Sequence, residues 1–281
     1  MMKQLSRRSL IKGAAALVAL PLTLQAKPQT QQSLKFVHIT DSHMDFANPD
    51  SVEAMELMVA FLNENYKELD FVLFGGDNFN NNATKSEDAL KFKQIIEKLH
   101  CPSYVVRGNK ESSPKGDKHI NSQEFKELFV AGKNLTTNNL DWLLEIKGYN
   151  ILGLDSCIDG ANNGRYTQET LAFAEKTLQN KKPTVILNHH PYTNYWKTTD
   201  KKEIHKYVLG NTQETQQKLF RYHNLILTLS GHKHIDSVTQ INNAKVIATR
   251  GFTRPLDLDN YPMRYVELSG ASITEKLIYT A

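Results

Sequence analysis

The stretch Phe71-Val72-Leu73-Phe74-Gly75-Gly76-Asp77-Asn78 constrains this chain most: an apolar run, two glycines, and a carboxylate where the run stops. Four consecutive apolar residues of this kind suit a strand covered on both faces, as in a parallel sheet. Glycine permits the sharp turn that would present Asp77 at the end of that strand. Alone, Gly-Gly-Asp is an ordinary turn signal. Its meaning here comes from four further stretches of the same design.

Those stretches are Ile39-Thr40-Asp41-Ser42-His43, Val106-Arg107-Gly108-Asn109, Ile186-Leu187-Asn188-His189-His190-Pro191 and Leu227-Thr228-Leu229-Ser230-Gly231-His232-Lys233-His234. Each sets polar groups just past an apolar run, at the carboxyl end of a strand, where open α/β sheets build their sites. Asp41 and His43 stand two residues apart, as do His232 and His234. On an extended backbone that spacing points both side chains to one face, where they can share an ion. Two carboxylates, several imidazoles and one carboxamide, without a thiolate, suit divalent manganese, iron or zinc. Asp77, with two oxygens, could bridge a pair.

Between these stretches, strand-like runs alternate with amphipathic helices, which predicts parallel strands. Strands are expected at 36–39, 71–74, 103–107, 150–155, 184–188, 225–230, 245–249 and 263–268, the last two antiparallel. Helices are expected near 51–66, 86–99, 168–179 and 212–222. The first has Asp50 and Glu53 at capping-box spacing and an apolar face of Val52, Met55, Met58, Val59 and Leu62, which makes its methionines core residues rather than ligands.

The chain opens with Ser6-Arg7-Arg8-Ser9-Leu10-Ile11-Lys12, then an apolar segment from Gly13 to Leu24 and Gln25-Ala26-Lys27. This resembles a twin-arginine export signal cleaved after Ala26. The apolar segment is about half the roughly 20 residues a membrane-spanning helix needs, so no stable membrane anchor is expected. Residues 1–26 carry Lys3, Arg7, Arg8 and Lys12 and no acid, so removing them takes the formal net charge from +4 to 0. A charge-balanced remainder is ample for one large α/β domain, assigned to residues 33–281, and gives no reason to expect nucleic-acid binding. The expected location is the periplasm, with the twin-arginine export machinery as a partner.

Cys101 precedes the run Tyr104-Val105-Val106, and Cys157 comes after Ile151-Leu152-Gly153-Leu154. On parallel strands the two thiols lie on the order of 20 Å apart, beyond the roughly 7 Å between α-carbons that a disulfide tolerates. Two free cysteines are expected.

The five motifs together resemble the calcineurin-like metallophosphoesterase family, whose pattern is Asp-x-His, Gly-Asp, Gly-Asn-His, a His near a Pro, and Gly-His-x-His. Leu154-Asp155-Ser156, Gly164, Gln168 and Leu171, and then His189-His190-Pro191, resemble the branch that contains cyclic-nucleotide and glycerophosphodiester phosphodiesterases. The resemblance implies a four-layer α/β/β/α sandwich of two mixed sheets flanked by helices, with two divalent ions at the carboxyl ends of the central strands. It implies that Asp41, His43, Asp77 and His234 hold one ion, and Asp77, Asn109, His189 and His232 the other. His189 is preferred to His190 because the family's ligand stands two before the proline; His190 could orient it through a hydrogen bond. The implied chemistry is phosphoester hydrolysis of a small phosphorylated substrate, with paired ions lowering the pKa of a bound water and clamping the phosphoryl oxygens.

Where the family has Gly-Asn-His and then an acid, this chain reads Gly108-Asn109-Lys110-Glu111. The family His is thought to contact the phosphate or assist the leaving group. Lysine keeps a donor and a positive charge, but its reference pKa of about 10.4 makes it a poorer proton shuttle near neutrality. Three outcomes are open: Lys110 takes over the role, Lys110 points to solvent, or turnover is lost and a metal-binding protein remains. Specificity is expected from the loops: residues 110–140, a polar insertion with Lys115, Lys118 and Lys133, and residues 192–207, with Tyr192, Tyr195 and Trp196 available to stack on a base or to pack the loop. Arg250, Arg254 and Arg264 are possible phosphate contacts, though solvated or structural arginines are commoner.

Overall fold

A computed structural model of the chain describes residues 32–82, 86–112, 120–193, 204, 207–270 and 272–281. The signal-like segment lies outside them, as do Lys115, Lys118, His119, Tyr195, Trp196 and His205. Strand β2 (Phe71–Gly75) is buried at all five positions. It runs parallel to β1 (Leu34–Ile39) on one side and to β3 (Ser103–Val106) on the other, pairing Phe36 with Phe71 and Val72 with Ser103. On the far edge of β1, β11 (Pro262–Ser269) and β12 (Ser272–Tyr279) add antiparallel pairs, giving the order β12-β11-β1-β2-β3.

The second sheet has the order β4-β5-β6-β7-β8-β10-β9. Its central strands β6 (Tyr149–Gly153), β7 (Thr184–Leu187), β8 (Leu225–Ser230) and β10 (Ala244–Ala248) run parallel. Strands β4 (Thr136–Asn138), β5 (Asp141–Ile146) and β9 (Ser237–Ile241) supply the antiparallel pairs. The expectation for 245–249 is therefore corrected: β10 is parallel to β8 and antiparallel only to β9.

Successive strand residues face opposite ways, and each face is covered. Ile151, Val185, Leu187, Leu227, Leu229 and Ile247 join the core shared with the first sheet. Their neighbours Leu152, Ile186 and Val246 join a second core with Leu171, Ala174 and Leu178 of helix α5 (Gln168–Leu178) and Leu219 of α6 (Thr212–Leu219). On the outer face of the first sheet lie α1 (Pro49–Asn65) and α2 (Glu87–Ile96), whose Met55, Met58, Leu62 and Phe92 are buried in the first core. The layers are helix, sheet, sheet, helix, and continuous apolar strands are stable here because neither face meets water.

Several local expectations change. Helix α1 begins two residues earlier than the Asp50–Glu53 pattern suggests: Asn48 caps it by accepting from Asp50 N–H, and Pro49 occupies the first turn, where its missing N–H costs nothing. Residues 110–140 are more than a polar insertion. They contain α3 (Asn109–Ser112) and α4 (Ser122–Phe129), which opens with an Asn121–Glu124 capping box and buries Phe125 and Phe129, the latter against Phe79 and Phe92. Lys133 leaves the candidate site altogether: its ammonium donates to the Ser103 carbonyl and sits 5.3 Å from the centre of the Tyr104 ring. Cys101 and Cys157 are free.

Candidate metal centre

Five of the seven side chains read as ligands stand on left-handed backbone: Asp41 (φ 55°), His43 (φ 47°), Asp77 (φ 50°), His232 (φ 70°) and His234 (φ 55°). Such conformations cost on the order of 1 kcal/mol each for non-glycine residues and persist only where the surroundings enforce them. The loop after β1 is enforced by the loop after β2: Asp41 N–H donates to Gly76 O at 3.0 Å, His43 N–H to Asp77 O at 2.9 Å and Met44 N–H to Asn78 O at 3.1 Å. Asp41 and His43 thus reach one site through two turned residues, rather than through the extended backbone that their spacing suggests. The loops also need bare backbone. A Cβ on Gly231 would lie 2.2 Å from Asp41 Oδ2, and one on Gly108 would lie 2.3 Å from Asp77 Oδ1.

Nitrogen and oxygen atoms converge in two groups. In the first, His234 Nε2 is 3.2 Å from Asp41 Oδ1, His43 Nε2 is 3.0 Å from His234 Nε2, and His43 Nε2 is 3.6 Å from Asp77 Oδ2. In the second, His189 Nε2 is 3.5 Å from Asp77 Oδ1 and 3.1 Å from Asn109 Oδ1, and His232 Nδ1 is 2.9 Å from Asn109 Oδ1 and 3.3 Å from His189 Nε2. Asp77 gives one oxygen to each group. All seven predicted residues are brought together, drawn from both sheets.

Electrostatics within the site keep the Asp41 carboxylate ionised and divide the imidazoles. Burial works to raise the Asp41 carboxyl, yet His234, His189 and His43 overcome it and hold the group below the usual carboxylate range. Burial disfavours a charged His189, but Asp77 outweighs it and pushes the imidazole up to about 9. Burial lowers His43. Imidazole nitrogens facing each other at hydrogen-bond distance beside ionised carboxylate oxygens fit divalent metal ions. The donor set of oxygen and nitrogen suits manganese, iron or zinc.

His190 stands beside the second group, a ring nitrogen within 4.8 Å of those of His189 and His232, but is held by other partners. Its Nδ1 lies 2.8 Å from Ser156 Oγ and its Nε2 lies 3.1 Å from Asn162 O, so both ring nitrogens are engaged, although the ring packs 4.5 Å from that of His232. It does not orient His189 by a hydrogen bond, as the sequence suggested. The Gly75 carbonyl does that, 3.0 Å from His189 Nδ1, which leaves Nε2 for the site. A Cβ on Gly164 would lie 2.2 Å from His190 Nδ1, which accounts for the serine and glycine of the Leu154-Asp155-Ser156…Gly164 pattern.

Lys110 has an exposed side chain, while its backbone N–H donates to Asp77 Oδ1 at 2.7 Å. Sequence reasoning passed over Glu111, which is buried and accepts four backbone N–H groups: Asp77 (3.1 Å), Asn78 (2.6 Å), Phe79 (3.2 Å) and Gly108 (2.7 Å). Burial and the neighbouring Asp77 push its carboxyl up to about 7. Its signal was the acid that ends the Gly108-Asn109-Lys110-Glu111 motif. Arg107 was also missed; it joins the same loop to Asp155 through Nε (3.0 Å) and a second nitrogen (2.9 Å).

Two open points of specificity are decided. Tyr192 is buried, with its hydroxyl 2.6 Å from that of Tyr166 and its ring against Phe220, so it packs the fold and cannot stack on a base. Arg264 is buried between Asp236 and Glu275 and is no phosphate contact. Arg254 does reach the site, with Nε 3.4 Å from His234 Nδ1. A pocket of about 370 Å³ opens beside His43, walled by Asp45, Asp50, Asn80, Phe252 and Tyr261.

A two-sheet sandwich with a histidine and carboxylate centre at its strand ends is the architecture of metal-dependent phosphoesterases. The chain belongs to the calcineurin-like phosphoesterase family, whose pattern matches residues 34–236, and is accordingly a metallophosphoesterase, a hydrolase. A probable glycerophosphodiester phosphodiesterase of Arcobacter nitrofigilis is 26% identical over 232 residues, covering 79% of this chain and 80% of its own length. A probable cyclic nucleotide phosphodiesterase of Coxiella burnetii is 23% identical over 212 residues, covering 72% and 77%. Among solved structures, a dimetal phosphatase of Danio rerio superposes with a TM-score of 0.63 at 11% identity, covering 88% of this chain and 99% of that one, a likeness of fold.

Proposed function

We propose that this protein is an exported phosphodiesterase that works with two divalent ions, on a substrate of the glycerophosphodiester or cyclic-nucleotide type. The observation that carries the two-ion reading is the division of Asp77, one oxygen facing His43 and the other facing His189. Asp41, His43, Asp77 and His234 would hold one ion, and Asp77, Asn109, His189 and His232 the other. When bound, such a pair supplies a water acidified towards neutrality and positive charge for the phosphoryl oxygens.

The chain's own residues would do the rest. The backbone carbonyl of Gly75 fixes the His189 ring, and Glu111 locks the loops that carry Asp77 and Asn109 together. The pocket beside His43 has room for the alcohol portion of a diester. Arg254 sits where it can meet a phosphate oxygen at the rim. Diester specificity draws support from the names of the Arcobacter and Coxiella relatives, both probable phosphodiesterases.

A second reading, hydrolysis of phosphomonoesters on the same site, is favoured by one observation: Lys110, where the family carries its histidine, is exposed. Monoesters with good leaving groups need less proton donation than alkyl diesters do. Export rests on the twin-arginine pattern at Arg7-Arg8, which lies outside the described residues; among the described residues no helix is long and apolar enough to cross a membrane. The decisive experiment is a turnover screen of the metal-reconstituted protein against monoesters, cyclic nucleotides and glycerophosphodiesters. Diester turnover exceeding monoester turnover is expected; monoesters alone would support the second reading, and no turnover with ions bound would indicate a binding protein.

A further inference from the structure

A carboxamide has two ends of nearly the same shape, and only its oxygen can face a cation. At Asn109 the oxygen lies 3.1 Å from His189 Nε2 and 2.9 Å from His232 Nδ1, while Nδ2 turns away and donates to Asn162 Oδ1 at 3.4 Å. Among the described residues this is the acceptor that Nδ2 has. Without it, the carboxamide could rotate and turn its NH₂ group towards the imidazoles.

Asn162 is held in place independently of Asn109. Its backbone carbonyl lies 3.1 Å from His190 Nε2, and His190 is fixed at its other nitrogen by Ser156 Oγ. The surrounding loop is closed by Arg165 N–H to Ser156 O at 2.8 Å and anchored by Gly160 N–H to Ser112 O, also 2.8 Å. The absent Cβ of Gly164 lets the loop pass against the His190 ring. One residue therefore joins the buried His190 to the Asn109 carboxamide, and it belongs to neither of the two ligand groups.

We infer that Asn162 is a positioning residue for the second ion: it selects the orientation in which Asn109 presents oxygen rather than nitrogen. This rests on the reading of Asn109 as a ligand. A partner of this kind typically changes metal affinity by about 10- to 100-fold when removed. The effect is confined to one of the two ions, because Asn162 has no contact with Asp41, His43 or His234 among the hydrogen bonds of the described residues.

The test is a calorimetric titration of manganese into the chelator-stripped full-length protein. The parent is expected to bind two ions. Asn162→Ala, which keeps the carbonyl that meets His190, should weaken one ion by about 10-fold or more and leave the other unchanged. Asn162→Asp retains an acceptor for Asn109 Nδ2 and should restore affinity to within a few-fold of the parent. Two parent-like affinities in Asn162→Ala would overturn the inference while leaving the two-ion reading intact, as would an Asn162→Asp protein as weak as Asn162→Ala. A lowered thermal midpoint with both affinities intact would also overturn it, because Asn162 would then serve the loop and not the ion. A parent that binds a single ion would overturn the two-ion reading and this inference with it.

Discussion

Asp77 and Glu111 hold each other's loops reciprocally. The backbone N–H of Asp77 donates to the Glu111 carboxylate at 3.1 Å, and the backbone N–H beside Glu111, that of Lys110, donates to the Asp77 carboxylate at 2.7 Å. A buried carboxylate that serves four backbone donors is costly to remove, because each N–H left unsatisfied loses on the order of 1 to 3 kcal/mol. Glu111→Ala is expected to destabilise the domain by at least about 2 kcal/mol and to lower metal stoichiometry together with stability. Denaturant unfolding and metal analysis of the same preparation check this. A stable variant with full metal content would show that the Asp77 loop keeps its shape unaided.

Asp141 gives a pH dependence away from the metal site. Burial pushes its carboxyl up to about 7, although Asp155 N–H donates to it at 2.8 Å. Unfolded, the group ionises near about 3.9. Between these values the folded state binds more protons than the unfolded state, so Asp141 makes stability fall as pH rises from about 4 to about 7, with no further change at higher pH. Asp141→Asn keeps an oxygen for the Asp155 N–H and should flatten that part of the stability profile. Parallel profiles for the two proteins would contradict the assignment.

At Lys110 the prediction concerns the leaving group. Proton donation to a departing alkoxide is typically worth about 10² to 10⁴ in rate, whereas a nitrophenolate needs little help. Lys110→His restores a group that titrates near neutral pH and should raise turnover of alkyl diesters relative to nitrophenyl esters. An unchanged ratio, with metal content equal, would remove position 110 from leaving-group chemistry.

For export, replacing Arg7 and Arg8 by Lys should leave unprocessed protein in the cytoplasm. Full processing of that double variant, read by cell fractionation, would exclude the twin-arginine route.

How far the sequence carried the site depended on what kind of information each residue needed. Asp41, His43, Asp77, Asn109, His189, His232 and His234 were legible because each comes just after a buried apolar run, and the end of a strand fixes where the next few residues lie. The strands Asp141–Ile146 and Ser272–Tyr279 were not, because they lie towards the edges of their sheets, where burial is partial and the apolar pattern is broken by Glu145, Glu275 and Lys276. Glu111, Arg107 and Asn162 act through backbone groups or partners at sequence separations of 34, 48 and 53 residues, which no local pattern encodes. Tyr192 and Arg264 stayed open for the converse reason: an aromatic or an arginine near a motif says nothing of which way it points, and both turn inward.

The central claim is that Asp77 serves two ions at once. Asp77→Asn keeps the size of the side chain and removes its charge, so metal content per folded protein, measured by elemental analysis after dialysis, tests the claim directly. The account predicts that this variant folds with the parent's circular dichroism spectrum, retains fewer than two ions and loses nearly all turnover. Two tightly held ions with undiminished activity in Asp77→Asn would contradict it.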